Sequence, residues 1–235
     1  MYNLKNKEIA YALYGLMLGD GTINGNTIII CHTNKQRYYV KFLAKWCREN
    51  NIIFRTRYDY YKKTTFGDVL YSEIRIYIPA SIKKHFKGDR CDKKKLSQYL
   101  LKRISPLGLL FWYLDDGNLC CQKRNDGNKT NRFAYLNTQC FSKEENMKIQ
   151  KMLIDRFGIK TTLNKDNSGF DKCKDKTYYR LRFGATEFRK FYDLVRQYLK
   201  HLPKEFEYKF NMKYEPNRLK NSEYLSNNYN FNNLL

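Results

Sequence analysis

What the chain lacks narrows it first. No stretch approaches the ~18 consecutive apolar residues that a membrane-spanning helix requires, so no segment is expected to enter a bilayer. Met1 to Glu8 has no basic segment running into a signal-type apolar one, and Glu8 argues against a transit peptide. The seven cysteines are odd in number and include no CxxC pair. Cys120 and Cys121 are adjacent, while Cys31, Cys47, Cys91, Cys140 and Cys173 are scattered. A disulfide framework wants an even count in a smaller secreted chain, and a zinc site wants paired spacing. Reduced, mostly buried thiols in an intracellular protein are expected instead. Acid is also scarce, with 23 Asp+Glu against 45 Lys+Arg, a formal charge of +22 and a pI near 9.6.

The 235 residues allow one large domain or two small ones. Either is long enough to bury roughly 70% of its unfolded surface. A content of 42% hydrophobic and 16% aromatic residues argues against a disordered basic tail. A foldable chain with this excess of positive charge needs an anionic partner, and nucleic acid is the first candidate.

The sequence repeats itself. Leu13-Tyr14-Gly15-Leu16-Met17-Leu18-Gly19-Asp20-Gly21 is an apolar helical run ending in Asp-Gly. Leu109-Leu110-Phe111-Trp112-Tyr113-Leu114-Asp115-Asp116-Gly117 is another, 96 residues on. Each run leads into a short apolar strand and then a helix-like stretch, about 35–50 and 143–157. Counting back from Ile52 and Ile159 sets His32 opposite Gln139. Tyr71 to Ile78 and Tyr178 to Phe183 alternate strictly. Ile74, Ile76 and Ile78 form one apolar face, and Tyr179, Leu181 and Phe183 the other. The opposite faces carry Arg75 and Tyr77, and Tyr178, Arg180 and Arg182, as in half-buried antiparallel strands. Helix starts follow, with Ser81 and Thr186 as expected N-caps. The order helix, strands, helix, strands, helix occurs twice, which is an α+β chain of two αββαββα halves. The expected divisions are 1–104, 105–220 and an Asn-rich tail, 221–235.

Gly15 and Gly19 share one helix face. At roughly 1 kcal/mol each in a helix interior, two such glycines imply that another backbone comes close. Gly21 and Gly117 suit the left-handed position after a helix. Asp20 and Asp116 then sit at helix C-termini, at the wrong end of the macrodipole. A matched pair of such violations points to function, and a divalent cation would offset both.

These two runs resemble the paired LAGLIDADG motifs of homing endonucleases, nearest to the single-chain, double-motif members encoded in mobile introns. Leu13, Gly15, Leu16, Asp20 and Gly21 carry the first match, and the likeness extends from about Glu8 to Lys213. The resemblance implies motif helices packed about a pseudo-two-fold interface. It also implies two curved antiparallel sheets forming a saddle on the DNA major groove. Cuts would fall across the minor groove and leave 3′ overhangs. Asp20 and Asp116 would coordinate Mg²⁺, for which Mn²⁺ substitutes, with Gly19 and Asp115 flanking them. Such metals want hard oxygen ligands, and two acids at a helix seam suit two-metal hydrolysis. A lysine from each half would approach its phosphate. Lys209 is the second, and the first lies among Lys93, Lys94 and Lys95, where the motif departs from the family form. His32 and Gln139 would bond the water network or a phosphate.

Base reading is expected from Arg55, Arg57, Arg75 and Tyr77 in the first half and from Lys165, Arg180 and Arg182 in the second, arginine being suited to guanine. Lys62, Lys63 and the 172–176 segment suit phosphates. The expected partner is therefore a long, pseudo-symmetric double-stranded DNA site bound by a monomer, with its own intron RNA as a further partner. An intron maturase on the same fold is the second reading, and a basic DNA-binding regulator the third. The abundance of Asn, Lys, Ile and Tyr matches AT-rich coding, as in a mitochondrial intron or an AT-rich bacterium.

Overall fold

The computed structural model describes residues 7–65, 67–78, 80–84, 96–123, 130–166 and 177–211. Lys93, Lys94, Lys95, the 172–176 segment and the 221–235 tail lie outside them. The first half runs α1 (Lys7–Leu18), β1 (Thr22–Asn24), β2 (Thr27–Thr33), α2 (Arg37–Glu49), β3 (Phe54–Thr64), β4 (Gly67–Tyr77) and α3 (Ala80–Lys83). A short α4 (Gln98–Leu101) follows. The second half runs α5 (Pro106–Asp116), β5 (Gly117–Lys123), β6 (Thr130–Leu136), α6 (Lys143–Phe157), β7 (Thr161–Asp166), β8 (Tyr178–Phe183) and α7 (Ala185–Leu199). The two four-stranded antiparallel sheets have the same order, β1-β2-β4-β3 and β5-β6-β8-β7. The α+β architecture of two repeated halves is therefore present.

Local chemistry sets the boundaries. α2 buries Tyr39, Val40, Leu43, Ala44, Trp46 and Cys47 along one stripe. α5 starts on the Ser105 cap with Pro106 in its first turn. α6 starts on a reciprocal Ser142–Glu145 capping box and ends on left-handed Gly158. Two expected caps fall elsewhere: Ser81 and Thr186 lie inside α3 and α7, and the α7 cap is extended Gly184. Gly21 and Gly117 are not left-handed either. Space requires them instead, because a Cβ would meet Leu16 O at 2.5 Å and Tyr113 O at 2.3 Å. Of Cys31, Cys47, Cys120 and Cys140, only Cys47 is buried, and Cys31 lies on the wet side of its strand.

α1 and α5 meet backbone to backbone. A Cβ on Gly15 would sit 1.8 Å from Gly108 O, and one on Gly108 would sit 2.4 Å from Tyr11 O. Aromatics lock the halves around this seam. Phe111 of α5 packs edge-on to Trp46 of α2 at 5.0 Å. Phe206 packs edge-on to Tyr38 and Tyr39. Of the second motif's aromatics, Phe111 thus fills space beside the first half, while Trp112 and Tyr113 pack on Phe141 and Phe191 of their own half.

Candidate active site

The α1–α5 seam ends at a cluster of acids. Asp20 lies two residues beyond α1, and Asp115 and Asp116 are the last residues of α5. Gly19 lacks a side chain because the Asp115 carboxyl fills that space: a Cβ there would lie 2.1 Å from Asp115 Oδ2. Asp115 Oδ2 accepts from the Asp20 backbone N–H at 3.0 Å. His32, near the end of β2, brings Nε2 to 3.8 Å from Asp20 Oδ2. Donor atoms of Asp20, His32 and Asp115 all lie within 4.8 Å of one another.

The electrostatics favour a cation. Burial pushes the Asp115 carboxyl well above the usual carboxylate range, and Asp20 pushes the same way, against the Tyr39 hydroxyl and the Asp20 N–H. Burial also holds the His32 imidazole below its ordinary value, although Asp20 and a Gln36 hydrogen bond pull it up. A neutral imidazole is the ligand form. His32 Nε2 and Asp115 Oδ1 are buried with no hydrogen-bond partner. Two orphaned ligand atoms clustered with an exposed carboxylate fit a divalent ion, which would remove the cost of ionising Asp115.

The two motif acids differ. Asp20 stays open, with its side chain 46% exposed. Asp116 Oδ2 accepts from Trp112 Nε1 at 3.1 Å. Strand register also shifts the expected His32–Gln139 correspondence by one residue. Thr22 pairs with Ile29 in the first sheet and Asn118 with Tyr135 in the second, which sets Thr138 opposite His32. Thr138 is fully buried and holds Asn146 of α6, and Gln139 lies in the turn beyond β6.

Lys209 is not aimed outward. Its Nζ donates to Leu114 O at 2.5 Å, Gly117 O at 2.8 Å and Tyr113 O at 3.4 Å. The cation missing from the end of α5 is thus supplied from 93 residues past Asp116. Burial lowers the ammonium's pKa while Asp115, Asp116 and Asp20 raise it. Lys209→Met should cost about 2–4 kcal/mol by stranding buried carbonyls. Thermal unfolding should show a Tm lower by roughly 10 °C, and an unchanged Tm would remove Lys209 from this role.

The expected base-reading residues divide. Arg55 pairs with Arg75 across β3 and β4, and Arg57 and Tyr77 share that face. Arg180 and Arg182 occupy one face of the second sheet, stacked on Tyr135 at 3.8 Å and Phe133 at 4.4 Å. Lys165 is the exception. It pairs with Tyr179 and so lies on the Leu163–Leu181 side of the strand, exposed near its end, because period two sets it against Arg180 and Arg182. Tyr39 carries no local spacing signal toward the site, and Gly108 lies just before the second motif run. Gly108 stands seven residues before Asp115 on one helix face, which was the available signal.

The sequence profile of the LAGLIDADG DNA endonuclease family matches residues 10–191. The chain belongs to that family. The LAGLIDADG chain is 27% identical over 185 residues to cytochrome b mRNA maturase bI2 of Saccharomyces cerevisiae, spanning 69% of this chain and 40% of that protein. It is 27% identical over 100 residues to a probable intron-encoded DNA endonuclease 3 of Mycosarcoma maydis, spanning 43% of this chain and 61% of that one. It thus covers less than two thirds of either relative. The fold resembles that of the homing endonuclease I-WcaI bound to its DNA recognition sequence, with a TM-score of 0.65, 20% identity, and coverage of 87% of this chain and 86% of that one. No described helix is long and apolar enough to cross a membrane.

Proposed function

We propose that this LAGLIDADG chain is a monomeric, site-specific double-strand DNA endonuclease of intron homing. It would hydrolyse phosphodiesters across the minor groove and leave 3′ overhangs. The supporting observation is the Asp20–His32–Asp115 donor set at the seam between two sheets with basic faces. Asp20, His32 and Asp115 would hold Mg²⁺, or Mn²⁺ in its place, and the ion would stabilise charge at phosphorus and acidify its bound water. Asp20 would present its exposed carboxylate to the substrate, His32 would remain neutral, and Lys209 would hold the end of α5 through the carbonyls of Tyr113, Leu114 and Gly117. The 1–104 and 105–220 halves would each read one half of a long, pseudo-symmetric site. A mitochondrial intron is the setting we favour for the reading frame, since its relatives are named as an mRNA maturase and an intron-encoded endonuclease.

The maturase match keeps a second reading, in which the same fold binds its own intron RNA. Selection of cleaved molecules from a library of intronless targets in Mg²⁺ separates the two. One recurrent cut site supports the endonuclease. No cleavage, with tight binding of the intron RNA, defeats it. With about ten phosphate contacts, target affinity should fall by roughly 10⁵ between 50 and 200 mM salt. A shallow slope in a binding titration would mean that the basic faces do not form one groove.

A further inference from the structure

One acid interrupts the basic face of the first sheet. Glu73 of β4 lies level with Cys31 of β2 and Arg57 of β3. It is only 7% exposed, in a chain whose charge excess is positive. Glu73 Oε1 accepts from Arg75 Nε at 2.6 Å, and Oε2 accepts from the Tyr60 hydroxyl at 3.2 Å. The Tyr60 ring in turn carries the Arg57 guanidinium at 4.2 Å. Two arginines are therefore tied to one carboxylate, one directly and one through a tyrosine.

The backbone is shaped for this. β3 slips register by one residue between Arg57 and Tyr60, with Asp59 at φ 53°. Without that bulge, period two would send Tyr60 to the core side. With it, Tyr60 pairs with Tyr71 on the wet side. Asp59 is held aside by Arg37 at 3.0 Å. In the second sheet Arg180 and Arg182 also rest on aromatic rings, but neither donates to a carboxylate among the described residues.

We propose that Glu73 is a positioning residue that fixes Arg75, and through Tyr60 also Arg57, for base reading, so that the first half is the more discriminating half of the DNA contact. This rests on the endonuclease reading above. A carboxylate on Nε leaves both terminal amino groups of Arg75 for the bidentate contact with guanine. It also removes rotamer freedom before binding, so less is lost on binding. Its charge repels any phosphate that drifts onto this face, which penalises wrong registers more than the right one. Glu73 thus acts on specificity and adds nothing to grip.

The test is a binding panel with every single-base variant of the selected target, using wild type, Glu73→Gln, Arg75→Ala, the double variant and Tyr60→Phe. Glu73→Gln should lose about tenfold discrimination at positions under the first half, one bidentate contact being worth roughly that much. Positions under the second half and affinity for random DNA should stay within about threefold. The double variant should match Arg75→Ala alone, and Tyr60→Phe should give a smaller loss at the same positions. Unchanged discrimination, or equal loss under both halves, overturns the proposal. So does a Glu73→Gln effect that persists without Arg75. A wild type that binds all sequences alike overturns the endonuclease reading itself.

Discussion

Asp20→Asn is expected to lower double-strand cleavage by about 10³-fold or more while leaving target binding intact. The carboxylate is the open member of the donor set, at 3.8 Å from His32 Nε2. The amide keeps the shape and the backbone N–H to Asp115 but removes the charge that a hard cation needs. Losing several kcal/mol of charge stabilisation in the transition state translates into that factor. Binding should hold, because removing an acid from a phosphate-facing cluster relieves repulsion. Cleavage time courses beside gel-shift titrations check both, and retained cleavage would remove Asp20 from the chemistry.

Gly15→Ala should be the most damaging added methyl among the described glycines. Alanine would favour helix α1 by about 1 kcal/mol in propensity. Its Cβ, however, falls 1.8 Å from Gly108 O, which is backbone and cannot rotate away. The helices must part, and overpacking of this kind costs about 3 kcal/mol or more. The clash wins, with a Tm lower by roughly 10 °C. Cleavage should fall too, since the same separation moves Asp115 away from Gly19 and Asp20. A Tm within about 2 °C of wild type would mean that the seam is not close-packed.

The sequence displayed what depends on local period. Alternation over Tyr71 to Ile78 and Tyr178 to Phe183 fixed which side of each strand meets the core, and the matched motif runs disclosed the doubled α+β unit. The Gly15–Gly19 stripe correctly implied a close neighbour, because no other economy explains two glycines on one helix face. What stayed hidden depends on distance along the chain or on backbone slips. Lys209 reaches the end of α5 only after the whole second half has folded, so no spacing betrays it. The β3 bulge inverts parity after Arg57, and a period-two reading has no means of sensing it. Lys165 differs for a simpler reason: its charge suits a DNA-facing position, but its parity with Leu163 sets it on the other side of the strand. The near-symmetry of the motifs likewise concealed that Asp116 is tethered to Trp112 while Asp20 is open.

The chemistry proposed for the seam depends on where the cation sits. Its most direct test loads the full-length protein with Fe²⁺ in place of Mg²⁺, adds ascorbate and peroxide, and maps where the polypeptide is cut by locally generated radicals. Breaks should be confined to the neighbourhoods of Asp20, His32 and Asp115, suppressed by excess Mg²⁺ and lost in the Asp20→Asn, His32→Ala double variant. Breaks elsewhere in the chain, or the same pattern in that variant, would contradict this placement.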